Sequence, residues 1–131
     1  MYNEEAGKAG STMSTGFALL SIDPEEGTPS TSLGPKMGME ATSLSRILKT
    51  MEEKGLIIRK KNPNDGRSVL IHLTDFGKDM RDYSKRVVLR FDETVKENVS
   101  DKDLKTFIEV ANTIMELISE KKVYTEEISV R

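Results

Sequence analysis

The segment from Leu56 to Thr74, LIIRKKNPNDGRSVLIHLT, constrains the fold of this chain more than any other segment. Residues 56–61 and 69–73 are rich in Ile, Leu and Val, which favour β-strands. Between them, residues 62–66 read Asn-Pro-Asn-Asp-Gly, a concentration of residues that favour tight turns. The segment therefore predicts a β-hairpin with a protruding tip. Its basic residues flank the turn: Arg59, Lys60 and Lys61 precede it, and Arg67 follows it.

An amphipathic helix is predicted directly before the hairpin, from Thr42 to Lys54, with Gly55 as its C-cap. Its apolar residues have the i, i+3, i+4, i+7 spacing of one helix face: Leu44, Ile47, Leu48 and Met51. A shorter helix is predicted before it, because Thr28-Pro29 has the pattern of an N-cap followed by a first helical proline. Gly38 ends that shorter helix. Two short helices joined by a tight turn indicate a helix-turn-helix.

The solvent-facing side of the 42–54 helix carries small hydroxyls and long cations. At about 100° per residue, the apolar face is opposed by Thr42, Arg46, Lys49 and Glu53, with Ser43 and Thr50 flanking them. Small residues permit close approach to base edges, Arg can bond guanine with two donors, and Ser or Thr can bond bases or phosphates. An ordinary solvated face has the same composition, and charge also keeps edge hairpins soluble. The occurrence of this face together with a basic hairpin favours DNA binding.

The charge distribution is compatible with a localised anionic partner. The formal net charge is −2 over 131 residues, which by itself argues against nucleic-acid binding. Residues 36–67, however, hold eight basic and four acidic side chains, whereas residues 1–35 hold one basic and five acidic side chains. A basic segment within an acidic chain is the footprint expected of a nucleic-acid interface. On charge alone, a DNA partner and no partner are equally good interpretations.

The remainder of the chain is predicted to be helical. Residues 12–22 suit a short buried helix, with apolar positions at Met13, Phe17 and Leu20 and further candidates at Ala18 and Leu19. Thr74 can cap a long helix, and Ser100 can cap a last helix that has a wide apolar face. The inward residues of the long helix would be Phe76, Met80, Tyr83, Val87, Phe91 and Val95. The predicted fold class is mainly α (α+β): a winged helix-turn-helix with a two-stranded β-hairpin wing and long C-terminal dimerisation helices.

The sequence contains no set of residues that indicates an enzyme active site or a metal site. The chain has no cysteine and one histidine, His72, without partners at a metal-ligand or catalytic spacing. Phosphate-binding glycine loops and hydrolase motifs are absent. We therefore expect no enzyme activity, no catalytic or metal-binding residue and no cofactor. No apolar run suffices for a membrane span and no secretory signal is visible, so a cytoplasmic protein without membrane contact is expected.

Three segments in register resemble the motifs of one family of regulators. Residues 42–57 are similar to its recognition helix and the beginning of its wing. Asn64-Asp65-Gly66-Arg67-Ser68 is similar to its D-x-R wing motif, and Leu73-Thr74-Asp75-Phe76-Gly77-Lys78 to the L-T-x-x-G-[KR] motif that begins its long helix. The family is MarR, the multiple antibiotic resistance regulators. The motifs span residues 31–80, and the helical pattern extends the resemblance to residue 120.

The resemblance implies a homodimeric transcriptional regulator, in most members a repressor, that binds double-stranded DNA and is released by a small-molecule effector or by thiol oxidation. It implies DNA contacts near phosphate for Ser30, Thr31 and Thr42, in the major groove for Ser43, Arg46 and Lys49, and in the minor groove for Arg67. The hairpin adds Lys61, since a lysine at a wing tip can meet phosphates. Asp65 would brace the wing, because phosphate repels a carboxylate.

The chain departs from the family pattern at several points. We expect the first helix of the family to be mostly absent, because the sequence begins near the end of that helix. Glu40 stands where many relatives have a Ser cap. Pro35 interrupts a helix that is usually continuous, so we expect a kink or a shortened helix there. The absence of cysteine excludes the branch of the family that senses peroxide through cysteine.

These features predict a single domain over residues 1–131. Residues 1–24 would be a remnant of the N-terminal dimerisation region with the first buried helix, and residues 25–74 the DNA-binding lobe. Residues 75–122 would form the dimerisation helices and 123–131 a loosely ordered tail. The missing first helix and the acidic net charge leave an alternative open, a ligand-sensing or protein-interaction dimer without DNA binding.

Overall fold

The computed structural model describes residues 12–120, which form five helices and three strands. In chain order these are α1 (Met13–Ser21), β1 (Thr28–Pro29), α2 (Ser30–Met37), α3 (Ala41–Glu53), β2 (Ile57–Lys61), β3 (Val69–Leu73), α4 (Asp75–Asn98) and α5 (Asp101–Ser119). The predicted helix-turn-helix followed by a hairpin wing is therefore confirmed. The N-terminal remnant as far as residue 11 and the predicted tail at 123–131 lie outside the described residues.

The chain comprises two compact units, and the first, which ends at Arg90, has one apolar core. The buried side chains of this core are Ala18, Leu19, Ile22, Leu33, Met37, Leu44, Leu48, Met51, Leu56, Ile57, Ile71 and Leu73. Leu44, Leu48 and Met51 form the inner face of α3, as its periodicity predicts. Burial of each such side chain contributes about 1.5–3 kcal/mol, which fixes the side of α3 that remains in solvent.

A third strand joins the hairpin, and the sequence analysis did not predict it. Thr28 and Pro29 pair antiparallel with the middle of β3, which gives the sheet the order β1-β3-β2. The predicted helix cap at Thr28 is therefore wrong: Pro29 is the N-cap residue and α2 begins at Ser30. The Thr28 hydroxyl instead accepts the backbone N–H of Asp23 at 2.9 Å. Proline suits an edge strand, where the missing N–H costs no ladder bond.

The helix α2 is short, as predicted from Pro35 and Gly38. It has eight residues and retains Pro35 inside its last turns. Gly38 has a φ of 62°, a left-handed conformation that glycine adopts without a Cβ penalty. The N–H of Met39 bonds the carbonyl of Gly34 at 2.9 Å and closes the helix. The chain can then turn steeply into α3.

The buried faces of two helices agree with the predicted ones only in part, and in α4 the predicted inward residue Met80 does pack against the core. In α1, Met13 and Phe17 are exposed, whereas Ala18 and Leu19 are fully buried. In α4, Phe76 is exposed and its neighbour Gly77 is buried. The prediction assigned the largest apolar residues to the inner face. Where a helix backbone packs closely against another segment, however, the inner face requires small residues.

The second unit begins at Phe91 and contains the end of α4 and all of α5. Ser100 caps α5, as predicted, because its Oγ accepts the N–H of Asp103 at 3.1 Å. The apolar face of α5 is largely exposed in the single chain: Phe107 is 69% and Ile118 63% exposed. No helix within residues 12–120 is long and apolar enough to cross a lipid bilayer.

Candidate nucleic-acid interface

The exposed face of α3 carries the four residues that the sequence analysis assigned to it. Thr42, Ser43, Arg46 and Lys49 are all solvent-exposed. The helix begins at Ala41, so Thr42 and Ser43 lie in its first turn, where backbone N–H groups and the helix dipole favour anions. Arg46 and Lys49 follow within the next two turns. The face therefore combines hydrogen-bonding hydroxyls with two exposed positive charges.

The N-terminus of α2 supplies the two other predicted contact residues of the helix-turn-helix. Thr31 is exposed and Ser30 is half-buried. Both lie in the first turn of α2, whose N-cap Pro29 has no side-chain donor or acceptor for the helix end. The helix packs against α1 and α3. Ser30 and Thr31 are thus held on a rigid element within the same unit as α3.

The wing is a regular antiparallel ladder from Ile57 opposite Leu73 to Lys61 opposite Val69. Arg59, Lys60 and Lys61 are exposed along β2, as the hairpin prediction requires. Lys61 is the last β2 residue, directly before the turn. The exposed Arg67 lies on the opposite limb of the turn, two residues before β3. Both cations that the sequence analysis assigned to the wing therefore lie at its tip.

Two side chains, the carboxylate of Asp65 and the amide of Asn62, hydrogen-bond to the backbone of the wing turn. The Asp65 Oδ1 accepts the N–H of Arg67 at 2.9 Å, and its backbone carbonyl accepts the N–H of Ser68 at 3.3 Å. Asn62 accepts the N–H of Asn64 through its own Oδ1 at 3.0 Å. Asn62 was not singled out by the sequence analysis. Its position at the beginning of a turn, where Asn often bonds a backbone N–H two residues on, is the signal that could have identified it.

The basic residues of the wing are not equivalent. The Nε of Arg59 donates to Glu52 Oε2 at 3.0 Å, so Arg59 forms an ion pair with the last turn of α3. Arg46, Lys49 and Arg67 are exposed, and none of them forms an ion pair with another of residues 12–120. Surface ion pairs contribute only about 0–1 kcal/mol. Even so, the carboxylate of Glu52 neutralises the charge that Arg59 would otherwise present.

Thr74 joins the end of α3, the wing and the beginning of α4. Its hydroxyl donates to the carbonyl of Gly55, and its N–H donates to the carbonyl of Leu56 at 3.1 Å. The Thr74 Oγ1 also accepts the N–H of Gly77 at 3.0 Å, and this bond caps α4 as predicted. These bonds fix the position of the end of α3 relative to the first turn of α4. The Leu-Thr-x-x-Gly motif therefore has a structural role at the base of the wing.

His72 is a packing residue in this fold. A Cβ added to Gly27 would lie 2.7 Å from Cε1 and 2.8 Å from Nδ1 of the His72 ring, so the imidazole lies directly against the Gly27 backbone. Gly27 has a φ of 76°. Within residues 12–120, no three His, Asp or Glu side chains converge to hold a metal ion.

Comparison with known proteins shows which family this chain resembles. Residues 12–69 match the model of the MarR family. The chain is 34% identical over 100 residues to the HTH-type transcriptional regulator SarZ of Staphylococcus saprophyticus, with 72% of this chain and 68% of SarZ covered. It is 33% identical over 78 residues to YdgJ of Bacillus subtilis, an uncharacterised HTH-type transcriptional regulator, with 60% of this chain and 48% of YdgJ covered.

The chain belongs to the MarR family. MarR proteins are transcriptional regulators. It spans about half the length of YdgJ. The solved complex of S. aureus MepR with DNA has the same fold, with a TM-score of 0.77 and 17% identity over 88% of each chain. The winged helix-turn-helix predicted from the sequence is the fold of this family.

Proposed function

We propose that this MarR-family regulator is a homodimer that binds a pseudo-palindromic operator in double-stranded DNA and represses transcription. The observation that carries the proposal is that the exposed face of α3 and the cationic tip of the wing belong to one compact unit. The core fixes α3, and Thr74 bonds the end of α3 and the start of the wing to α4. Such a unit can engage two adjacent grooves without rearrangement.

The proposed contacts follow from the shape and charge of the two elements. An α-helix fits the major groove, where Arg46 can donate two hydrogen bonds to guanine and Ser43 and Lys49 can reach base edges. Thr42, Ser30 and Thr31 would bond phosphates through hydroxyls near helix N-termini. Arg67 would enter the narrow minor groove, which attracts cations. Lys61 would contact a phosphate.

Dimerisation is proposed from the second unit. The exposed apolar side chains of α5 include Phe107, Ile114, Met115 and Ile118. An extensive exposed apolar face usually marks a protein interface, and closed two-fold symmetry is the commonest arrangement of soluble oligomers. A two-fold dimer would place its α3 helices about one DNA turn, roughly 10 bp, apart. A small-molecule effector that releases the dimer from DNA belongs to the same proposal.

The test begins with selection of bound fragments from the source genome, followed by measurement of Kd on the recovered duplex. Arg46→Ala should weaken binding by about 1–3 kcal/mol and relax preference at one base pair. Arg67→Ala should weaken binding by a similar amount. The matched control is Arg59→Ala, which removes the same side chain from a site already paired with Glu52. We expect the control to bind nearly as well as the parent.

Salt dependence gives a second readout of the proposal. Binding should weaken steeply with salt because cationic side chains displace counterions from phosphates. Lys61→Ala should weaken binding to all sequences alike and lower the salt slope by about one. If a folded dimer shows no salt-sensitive binding to any duplex, the proposal is wrong, and the ligand-sensing or protein-interaction dimer becomes the better function.

A further inference from the structure

A buried polar pair closes the base of the wing turn. Asn62 follows the last residue of β2, and Ser68 precedes the first residue of β3. Because Lys61 pairs with Val69, Asn62 and Ser68 face each other one position beyond the ladder. The Asn62 Nδ2 donates to Ser68 Oγ at 2.8 Å, and the two residues are only 8% and 5% exposed. A side-chain bond thus continues the ladder where the backbone bonds end.

The same pair anchors both limbs of the turn. Asn62 uses the other end of its amide, Oδ1, to accept the N–H of Asn64 at 3.0 Å. On the return limb, Asp65 accepts the N–H groups of Arg67 and Ser68 at 2.9 and 3.3 Å. The backbone of Arg67 is therefore restrained by its own bond to Asp65 and by the bonds of its neighbour Ser68.

We propose that Asn62 is a positioning residue for DNA binding, because its bond to Ser68 holds the wing tip in the conformation that presents Lys61 and Arg67 to the duplex. The inference rests on the function proposed above. Lys61 directly precedes Asn62, and Arg67 directly precedes Ser68. The hydrogen-bonded pair Asn62–Ser68 consequently sets the direction in which the side chains of Lys61 and Arg67 project from the hairpin. A tip ordered in advance loses less conformational entropy on binding than a mobile one.

A role in stability alone would not require a polar pair. Replacing both partners of a buried hydrogen bond by apolar groups of similar shape is often nearly neutral for folding, whereas removing one partner leaves the other unsatisfied. Asn62→Leu/Ser68→Ala tests this, since leucine approximates the shape of asparagine. The double variant should unfold at a temperature near that of the parent. It should still bind DNA more weakly, because it lacks the bonds to Ser68 and Asn64.

The decisive experiment is a pair of double-mutant cycles, of Asn62 with Arg67 and of Asn62 with Lys61. Kd and dissociation rate are measured on the selected operator duplex for the parent, the single variants Asn62→Ala, Arg67→Ala and Lys61→Ala, and the two double variants. Loss of one net hydrogen bond corresponds to about a tenfold change in Kd. We expect Asn62→Ala to weaken binding about tenfold, mainly through faster dissociation, and to have much less effect when Arg67 or Lys61 is absent. Asn64→Ala is the matched control, since Asn64 joins the turn through its backbone N–H.

The outcomes separate this inference from the function on which it rests. If the parent binds no duplex, the proposed function is wrong and the inference is lost with it. If the parent binds and Arg67→Ala weakens binding, but Asn62→Ala binds like the parent, only the inference is overturned. Equal weakening by Asn62→Ala in the parent, in Arg67→Ala and in Lys61→Ala also overturns it, because Asn62 would then act independently of both cationic residues. Parent-like affinity of Asn62→Leu/Ser68→Ala is a third result against it.

Discussion

The backbone of Gly77, in the first turn of α4, lies directly against the carbonyl group of Leu56. A Cβ at residue 77 would be 3.0 Å from the carbonyl carbon of Leu56 and would overlap its oxygen. The helix thus meets the segment between α3 and β2 backbone to backbone, with room for a hydrogen atom only. Because Thr74 bonds Gly55 and Leu56 at the same point, the recognition helix and the wing share one attachment to α4.

Gly77→Ala should destabilise the first unit. Alanine is favoured over glycine within a helix by about 1 kcal/mol, but here its Cβ would displace the Leu56 carbonyl. Overpacking of this kind costs about 1–3 kcal/mol. We expect a net loss of stability, measured as a lower midpoint of chemical unfolding. Operator affinity should fall as well, since α3 and the wing would both shift.

Gly66→Ala is the matched control for this substitution. Among the described residues, nothing lies within 4 Å of the position that a Cβ on Gly66 would occupy. An unconstrained surface substitution changes stability by no more than about 0.5 kcal/mol. If Gly77→Ala and Gly66→Ala unfolded at the same denaturant concentration, the close approach of Gly77 to Leu56 would not limit the fold.

The sequence predicted the elements that are encoded locally. The spacing of apolar residues in α3, the turn residues of the wing and the Ser100 cap each lie within a few neighbouring positions. The strand β1 escaped prediction because it has only two residues and depends on pairing with β3, some forty positions away. Thr28-Pro29 also fits a helix start equally well, so the local pattern selected the wrong alternative.

The part of the candidate site that local sequence patterns encode was predictable as well. Exposed cations and hydroxyls follow from the amphipathic pattern of α3 and from the position of the turn. Arg59 forms an ion pair with Glu52, and this pair was not predictable because the two residues lie on different elements, β2 and α3. The burial of Asn62 and Ser68 depends on their meeting across the hairpin, and the composition of the turn does not encode that burial. Residues that position the predicted contacts therefore emerged only from the structure.

Glu40 lies at the N-cap of the recognition helix and provides no side-chain cap bond within the described structure. Serine there can accept a backbone N–H of the first turn and stabilise the helix by about 1 kcal/mol. The substitution also removes a carboxylate, which would lie close to the DNA phosphates when the N-terminus of α3 meets the duplex. Glu40→Ser should therefore raise both thermal stability and DNA affinity. Thermal unfolding and Kd at fixed salt measure the two effects.

Glu40→Gln separates the charge effect from the capping effect. It removes the carboxylate but leaves a long side chain that caps poorly. We expect Glu40→Gln to increase DNA affinity with little change in thermal stability, and the increase should disappear at high salt because screening removes the repulsion. Unchanged affinity in both variants would mean that Glu40 lies away from the bound phosphates.

Asp23 gives the first unit a predictable response to acid. The pKa of its carboxyl is below the ordinary value because the N–H groups of Glu26 and Glu25 donate to it, with smaller help from the charges of Lys36 and Arg81. A depressed pKa in the folded state stabilises the fold above the unfolded-state pKa of about 3.9, and the contribution disappears as pH falls through the folded-state value.

Asp23→Asn should consequently be less stable than the parent at neutral pH. The difference should shrink as the pH is lowered through the acidic range, because the parent carboxyl then becomes protonated. Denaturant midpoints measured at several pH values test this expectation. A stability difference that is constant with pH would show that the charge of Asp23 contributes nothing and that asparagine fails to preserve its hydrogen bonds.

The exposed apolar face of α5 leads to the last prediction, on the oligomeric state. Ile114 is 52% exposed in the single chain, so a charge at this position should be tolerated by the monomer and should oppose a protein interface. Ile114→Glu should shift the molecule towards monomer in sedimentation or light scattering while helix content is retained. Lys105→Glu, a change of charge at another exposed position of the same helix, is the control and should leave assembly unchanged.

The same variant links assembly to DNA binding. A monomer can occupy one half-site only, so its contacts with the second half-site become a separate bimolecular event. Ile114→Glu should therefore bind a single half-site as well as one parent subunit does, but lose the tight binding to the full palindrome. If Ile114→Glu were monomeric and still bound the full operator with parent affinity, dimerisation through α5 would have no part in operator recognition.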